Sequence, residues 1–130
     1  MPASISPETI MAYAILTAAH ARRPVLIEDV SSLFAKLRQE KIQDVGTVAL
    51  RRTPRGVYSE DVEAFFGRLL AGGFAEARSP LDPNEDGKQL CLEIVDEENQ
   101  SHPEALRRVA QVLGLDLSFI TNRVPQGKPA

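Results

Sequence analysis

Arg51, Arg52 and Arg55 stand close together just ahead of Ser59, where a helix is expected to begin. Guanidinium forks and the amino end of a helix both favour anions, so this grouping is the best candidate in the chain for receiving a phosphate or an acidic partner. The competing reading is a solvated loop whose arginines pair with nearby carboxylates. A second pattern with chemical content is Asp82-Pro83-Asn84-Glu85-Asp86-Gly87, followed at the twelfth position by Glu93. Alternating oxygen ligands, a turn glycine and a final bidentate carboxylate have the form of a calcium loop, with Asp82, Asn84, Asp86 and Glu93 as its ligands. However, Ser79-Pro80 separates Asp82 from the preceding helix, Gln89 stands where an apolar residue belongs, and Glu93 falls on an expected strand. A polar hairpin loop is therefore the preferred reading, and no metal is expected.

Groups suited to catalysis are few. His20, near the end of the first helix, and His102, in the first turn of the last, make no metal-ligand spacing with each other or with a cysteine. His102 reads as a surface residue at a helix start. Cys91 alternates with Leu90 and Leu92 and reads as a small buried or half-buried thiol rather than a nucleophile. Gly72-Gly73 follows a helix rather than a strand, so it is no phosphate loop. Glu60-Asp61 and the run Asp96 to Glu98 read as helix capping and solvated surface. No catalysis and no cofactor are expected.

These residues must be carried by an ordinary globular chain. At 130 residues, 43% hydrophobic and 25% charged, one domain is expected over 1–121, with 122–130 as a flexible tail. No apolar run approaches the roughly 18 residues that span a bilayer, and the amino terminus has no basic segment leading into an apolar one. With the lone Cys91 unable to form an internal disulfide, the expectation is a cytoplasmic protein with no membrane partner. A net charge of -3 and a pI near 5.4 argue against nucleic-acid binding by overall attraction, leaving only a local patch to do it.

Helical signals are clear in three places. Ser6-Pro7 opens a helix to about Arg22, with Ile10, Met11, Ala14, Ile15 and Ala18 at helical spacing and Pro24 beyond its end. After an extended Pro24 to Ile27, a second helix over Glu28 to Glu40 places Val30, Leu33, Phe34 and Leu37 on one face. The third starts at Ser59, carries Val62, Phe65, Phe66, Leu69 and Leu70 as its stripe, and stops at Gly72-Gly73. Between the second and third, Thr47 to Leu50 is expected as a short strand. Phe74 to Arg78 and Gln89 to Val95 are expected to pair across a ten-residue polar loop, the latter because Leu90, Leu92 and Ile94 alternate with Gln89, Cys91 and Glu93. A last helix opens at Ser101 with Glu104 completing a capping box, and places Leu106, Val109, Ala110 and Leu113 inward before Gly114. The fold class is α+β: about four helices, a β-hairpin after the third and one extra short strand.

The order helix, extended piece, helix, helix, strand, loop, strand over roughly 7–95 resembles the winged-helix family, on the strength of Tyr58 to Ala75 followed by Lys88 to Val95. That resemblance implies a third helix that reads DNA and a hairpin that touches its backbone. Here the reading face would offer Glu60, Asp61 and Glu63 against Arg68, which repels phosphates, and about twenty residues separate the second and third helices. The run Arg55-Gly56-Val57-Tyr58-Ser59 followed by Leu69 to Phe74 is also similar to the Panacea domain of phage-associated and antitoxin-like proteins, which implies protein binding. The resulting expectation is a non-catalytic, winged-helix-like interaction or regulatory domain that contacts another protein and forms a homodimer through its terminal helices. The alternative is a DNA-binding transcriptional regulator in which Arg51, Arg52 and Arg55, with Arg22 and Arg23, supply the phosphate contacts.

Overall fold

A computed structural model describes residues 4–121. Residues 122–130, expected as a flexible tail, lie outside the described residues. The chain is a mostly helical α+β domain: α1 (Pro7–His20), α2 (Ile27–Gln39), β1 (Arg51–Thr53), β2 (Gly56–Tyr58), α3 (Glu60–Ala71), β3 (Ala75–Arg78), β4 (Leu81–Pro83), α4 (Glu85–Ser101), α5 (Pro103–Leu113) and α6 (Ser118–Thr121). The strands form two separate antiparallel hairpins, β1 with β2 and β3 with β4. Among the described residues six helices thus replace the four expected.

Helix α1 begins as its sequence requires, with Pro7 in the first turn and Ser6 Oγ accepting from the Glu8 amide at 3.3 Å. Its interior departs from the one-sided pattern. Every residue from Thr9 to Thr17 is buried, so α1 is the central helix, sheathed by its neighbours. Its most extensive contact is with α4. The polar groups this buries all find partners: the Tyr13 hydroxyl donates to the Asp116 carbonyl at 2.7 Å, and Thr17 Oγ1 accepts from the Asp116 amide at 3.2 Å.

The link from α1 to α2 is extended at Val25, whose carbonyl accepts from the Leu81 amide at 2.8 Å. In α2, Val30, Phe34 and Leu37 turn inward as expected. Ser31 Oγ donates to the Ile27 carbonyl at 2.7 Å and accepts from the Ser59 amide at 3.0 Å, which fixes the start of α3 against α2. At that start Ser59 Oγ accepts from the Val62 amide at 3.3 Å, the cap expected of it. The helix ends with Gly72 still right-handed and Gly73 at φ +82°, so the left-handed turn belongs to the second glycine alone.

Two expected strands fail, for different reasons. Thr47 to Leu50 is not a strand; its backbone groups are taken by side chains, with Arg38 Nη2 donating to the Val48 carbonyl at 3.1 Å and the Ala49 amide donating to Asp61 Oδ2 at 3.0 Å. The extra pairing lies just after it, where Arg51, Arg52 and Thr53 face Tyr58, Val57 and Gly56. The strand over Gln89 to Val95 is instead the middle of α4. Strand β3 pairs with Leu81–Pro83 directly, and the supposed polar loop supplies Asn84, whose Oδ1 caps α4 by accepting from the Gly87 amide at 2.8 Å. The alternation misled because α4 is packed on several sides: Gly87, Cys91 and Val95 form its buried line, while Leu90, Leu92 and Ile94 are half-buried along its flanks.

Gly87 is required by this packing. A Cβ at that position would meet the Phe74 carbonyl oxygen at 2.0 Å, inside any van der Waals contact. Beyond α4, the Ser101 capping box does not form. Ser101 is the last residue of α4, and His102 is the hinge residue from which Pro103 starts α5. Helix α5 buries Leu106, Val109, Ala110 and Leu113, then stops at Gly114 in the left-handed conformation, as its sequence indicates.

Candidate functional site

The arginine cluster is carried by the first hairpin. Arg51 and Arg52 stand on β1, and Arg55 occupies the turn. That turn is pinned from within by Thr53, whose Oγ1 donates to the Gly56 carbonyl at 3.0 Å and accepts from the Arg55 amide at 3.2 Å, while Gly56 takes the φ of +122°. Arg51 lies over the Tyr58 ring, 4.8 Å from its centre, and 4.0 Å from a Glu60 carboxylate oxygen. The Tyr58 phenol is held above its usual range by burial first and then by the Glu63 carboxylate, against the pull of Arg51 and Arg78. Arg52 and Arg55 are exposed, and among the described residues no carboxylate pairs with either.

The joint cradle of arginines and helix end does not form as the sequence suggests. Ser59 already satisfies the Val62 amide, and Glu60, Asp61 and Glu63 place carboxylates in the first turn of α3. The arginines project from the hairpin on their own. Beside Arg51 and Arg52, but not Arg55, runs a cleft of about 450 Å³ between α2 and the hairpin, floored by Ala35, Leu50 and Val57 and edged by Arg38, Arg51 and Arg52. A second hollow of about 300 Å³ lies along the loop after α2, lined by Phe34, Leu37, Val48 and Lys41. Arg38 lines both. Neither Arg38 nor Lys41 stood out in the sequence, since each is an ordinary cation at the polar end of an amphipathic helix; only the folding of 42–50 back across α2 gives them a common cleft.

The other sequence candidates are dispersed or absorbed into structure. Asp82 is on β4, Asn84 is a helix cap, Asp86 is in the first turn of α4 and Glu93 lies two turns further along that helix. The twelve-residue loop is therefore no loop, and Asn84 Nδ2 donates instead to the Gly73 carbonyl at 2.8 Å and to Glu76 at 2.9 Å. Among the described residues no group of three or more His, Cys, Asp or Glu is placed to hold a metal ion. Cys91 is fully buried, and burial pushes its thiol up to about 12. Arg22 and Arg23 are exposed in the turn after α1 and line neither cleft. His20 is exposed, edge-on to Phe119 and 4.0 Å from Asp116.

One polar cluster was missed altogether. Glu98, expected as solvated surface, is only 12% exposed at its side chain. Its Oε1 accepts from the Ser6 amide and from Thr9 Oγ1, both at 3.1 Å, and its Oε2 accepts from His102 Nδ1 at 2.6 Å. Burial raises the carboxyl's pKa, but the bonds from His102, Ser6 and Thr9 outweigh it and hold the group below its ordinary value. An ionised carboxylate can only accept, so His102 Nδ1 carries the proton. The signal available in the sequence was the four-residue spacing from Glu98 to His102; nothing local pointed to Ser6 and Thr9.

Compared with known proteins, the chain matches no family model, no curated protein and no solved structure. Among the described residues no helix is long and apolar enough to cross a membrane.

Proposed function

We propose that the chain is a non-catalytic, winged-helix-like interaction domain of the cytoplasm that recognises a protein partner through the β1–β2 hairpin. The observation that carries this reading is the exposure of Arg52 and Arg55 without carboxylate partners among the described residues, on a hairpin whose turn is pinned by Thr53. In a chain of net charge -3, two cations left unpaired on a fixed element beside an apolar-floored cleft suit an acidic protein surface, which they would steer and orient. The winged-helix-like description is supported by the short hairpin β3–β4 that directly follows α3. The use of that scaffold for protein rather than DNA is supported by Glu60, Asp61 and Glu63 in the first turn of α3, which would repel a phosphate backbone.

The test sets the two polymers against each other. Cross-linking in the cells of origin should capture a protein partner with the wild-type chain and lose it when Arg51, Arg52 and Arg55 are all replaced by Ala. Duplex DNA, titrated at about 50 and 200 mM salt, should bind no better than the non-specific level of roughly 10⁻⁴ to 10⁻⁶ M. Tight DNA binding that collapses with salt and disappears in the triple variant would overturn the proposal in favour of a DNA-binding regulator.

A further inference from the structure

We infer that the cleft between α2 and the hairpin takes a short segment of the partner in which a carboxylate side chain is flanked by apolar ones. This rests on reading the hairpin as a protein-binding element. The cleft's volume of about 450 Å³ falls in the range of pockets that seat a ligand, and Ala35, Leu50 and Val57 give it an apolar floor. Its cationic edge is Arg38, Arg51 and Arg52, and the neighbouring hollow of about 300 Å³ repeats the arrangement, with Phe34, Leu37 and Val48 below and Lys41 at the edge.

Arg38 lies at the boundary of the two hollows and decides the order of groups in the occupant. Its Nη2 donates to the Val48 carbonyl at 3.1 Å, which holds the guanidinium in place while its other N–H donors remain able to grip a carboxylate. An apolar side chain in each hollow with an acidic one between them matches this sequence of floor, cation and floor. Of these cations only Arg51 has an ion-pair partner among the described residues, Glu60 at 4.0 Å, and both side chains are mostly exposed, so that pair is weak and exchangeable. Nucleic acid fits less well, because base recognition on a single strand needs an open aromatic face and Arg51 covers the ring of Tyr58.

The experiment uses the full chain and three fluorescein-labelled nine-residue peptides: alternating Leu and Glu, all Glu, and alternating Leu and Lys, with a single-stranded oligonucleotide as competitor. The Leu/Glu peptide should bind at least about tenfold more tightly than the all-Glu peptide, and the Leu/Lys peptide should not bind. Ala35→Glu and Arg52→Glu should each lower the affinity about tenfold with the helical circular dichroism unchanged; where Ala35→Glu fails to fold, Gln39→Glu at the exposed end of α2 takes its place. Equal binding of the all-Glu and Leu/Glu peptides, indifference to a glutamate placed in the cleft, or displacement by the oligonucleotide would overturn the inference. Failure here with cellular capture still lost in the Arg51/Arg52/Arg55 triple variant would remove only the cleft, whereas capture that survives the triple variant would remove the hairpin reading itself.

Discussion

At the seam between α1 and α4, the Glu98 carboxylate accepts three hydrogen bonds from two other parts of the chain, and among the described residues no buried side-chain nitrogen or oxygen is left without a partner. At the β1–β2 hairpin, Arg52 and Arg55 are exposed and unpaired with any described carboxylate, although the chain has more acidic than basic residues. Charge inside the fold has to be matched because desolvation makes an unmatched group costly; charge on the hairpin is left open because water matches it until something better arrives. Full satisfaction therefore marks Glu98 as a structural group, despite its perturbed carboxyl. Incomplete satisfaction on a pinned turn marks the hairpin as the surface that meets other molecules.

This contrast predicts a ranked set of effects. The largest lies where the start of α4 passes the chain after α3: Gly87→Ala should drive a methyl group into the Phe74 carbonyl and destabilise the fold by roughly 3 kcal/mol, lowering Tm by roughly 10 °C or more in a thermal melt. A melt indistinguishable from wild type would mean that α4 does not approach Phe74 so closely.

Next comes Glu98→Ala, which orphans the Ser6 amide and the Thr9 hydroxyl and should cost roughly 2 kcal/mol by urea denaturation at neutral pH. Its pH dependence has a definite sign. The folded carboxyl titrates below its ordinary 4.5, so its contribution is complete above that value and is lost as the pH falls through the lower, folded one. The gap between wild type and Glu98→Ala should therefore narrow in acid, and a gap that stays constant down to pH 3 would contradict the ionised, hydrogen-bonded state of Glu98.

The smallest effect on stability belongs to the hairpin. Replacing Arg51, Arg52 and Arg55 by Ala should shift the urea midpoint by no more than about 0.5 kcal/mol equivalent, because these guanidiniums are exposed and, among the described residues, only Arg51 has an ion-pair partner. A loss as large as that of Glu98→Ala would erase the distinction between the two regions and make the arginines structural.

Much of the architecture was legible locally. Ser6 with Pro7, Ser59 and Gly114 mark helix ends by chemistry that acts within one turn, and Val62, Phe65, Phe66 and Leu69 are the buried face of α3 as their spacing indicates, although Leu70, expected with them, is exposed. The arginine cluster was equally visible, because three like side chains in five residues need no fold to be noticed. In α4, by contrast, Leu90, Leu92 and Ile94 suit either a strand or a helix enclosed by neighbours, and Asn84 followed by Glu85 and Asp86 is at once a turn and a helix start. Only the approach of α1, α5 and α6 to α4, with Phe74 lying against Gly87, selects the helix. Sequence alone thus determined the helix starts at Ser6-Pro7 and Ser59, the stop at Gly114 and which cations are clustered, since those depend on neighbours along the chain. The tertiary structure decided that Glu98 is an inner group bonded to an amide 92 residues away, and that Arg38 shares a cleft with Arg51 and Arg52, since neither proximity exists until the chain has folded back on itself.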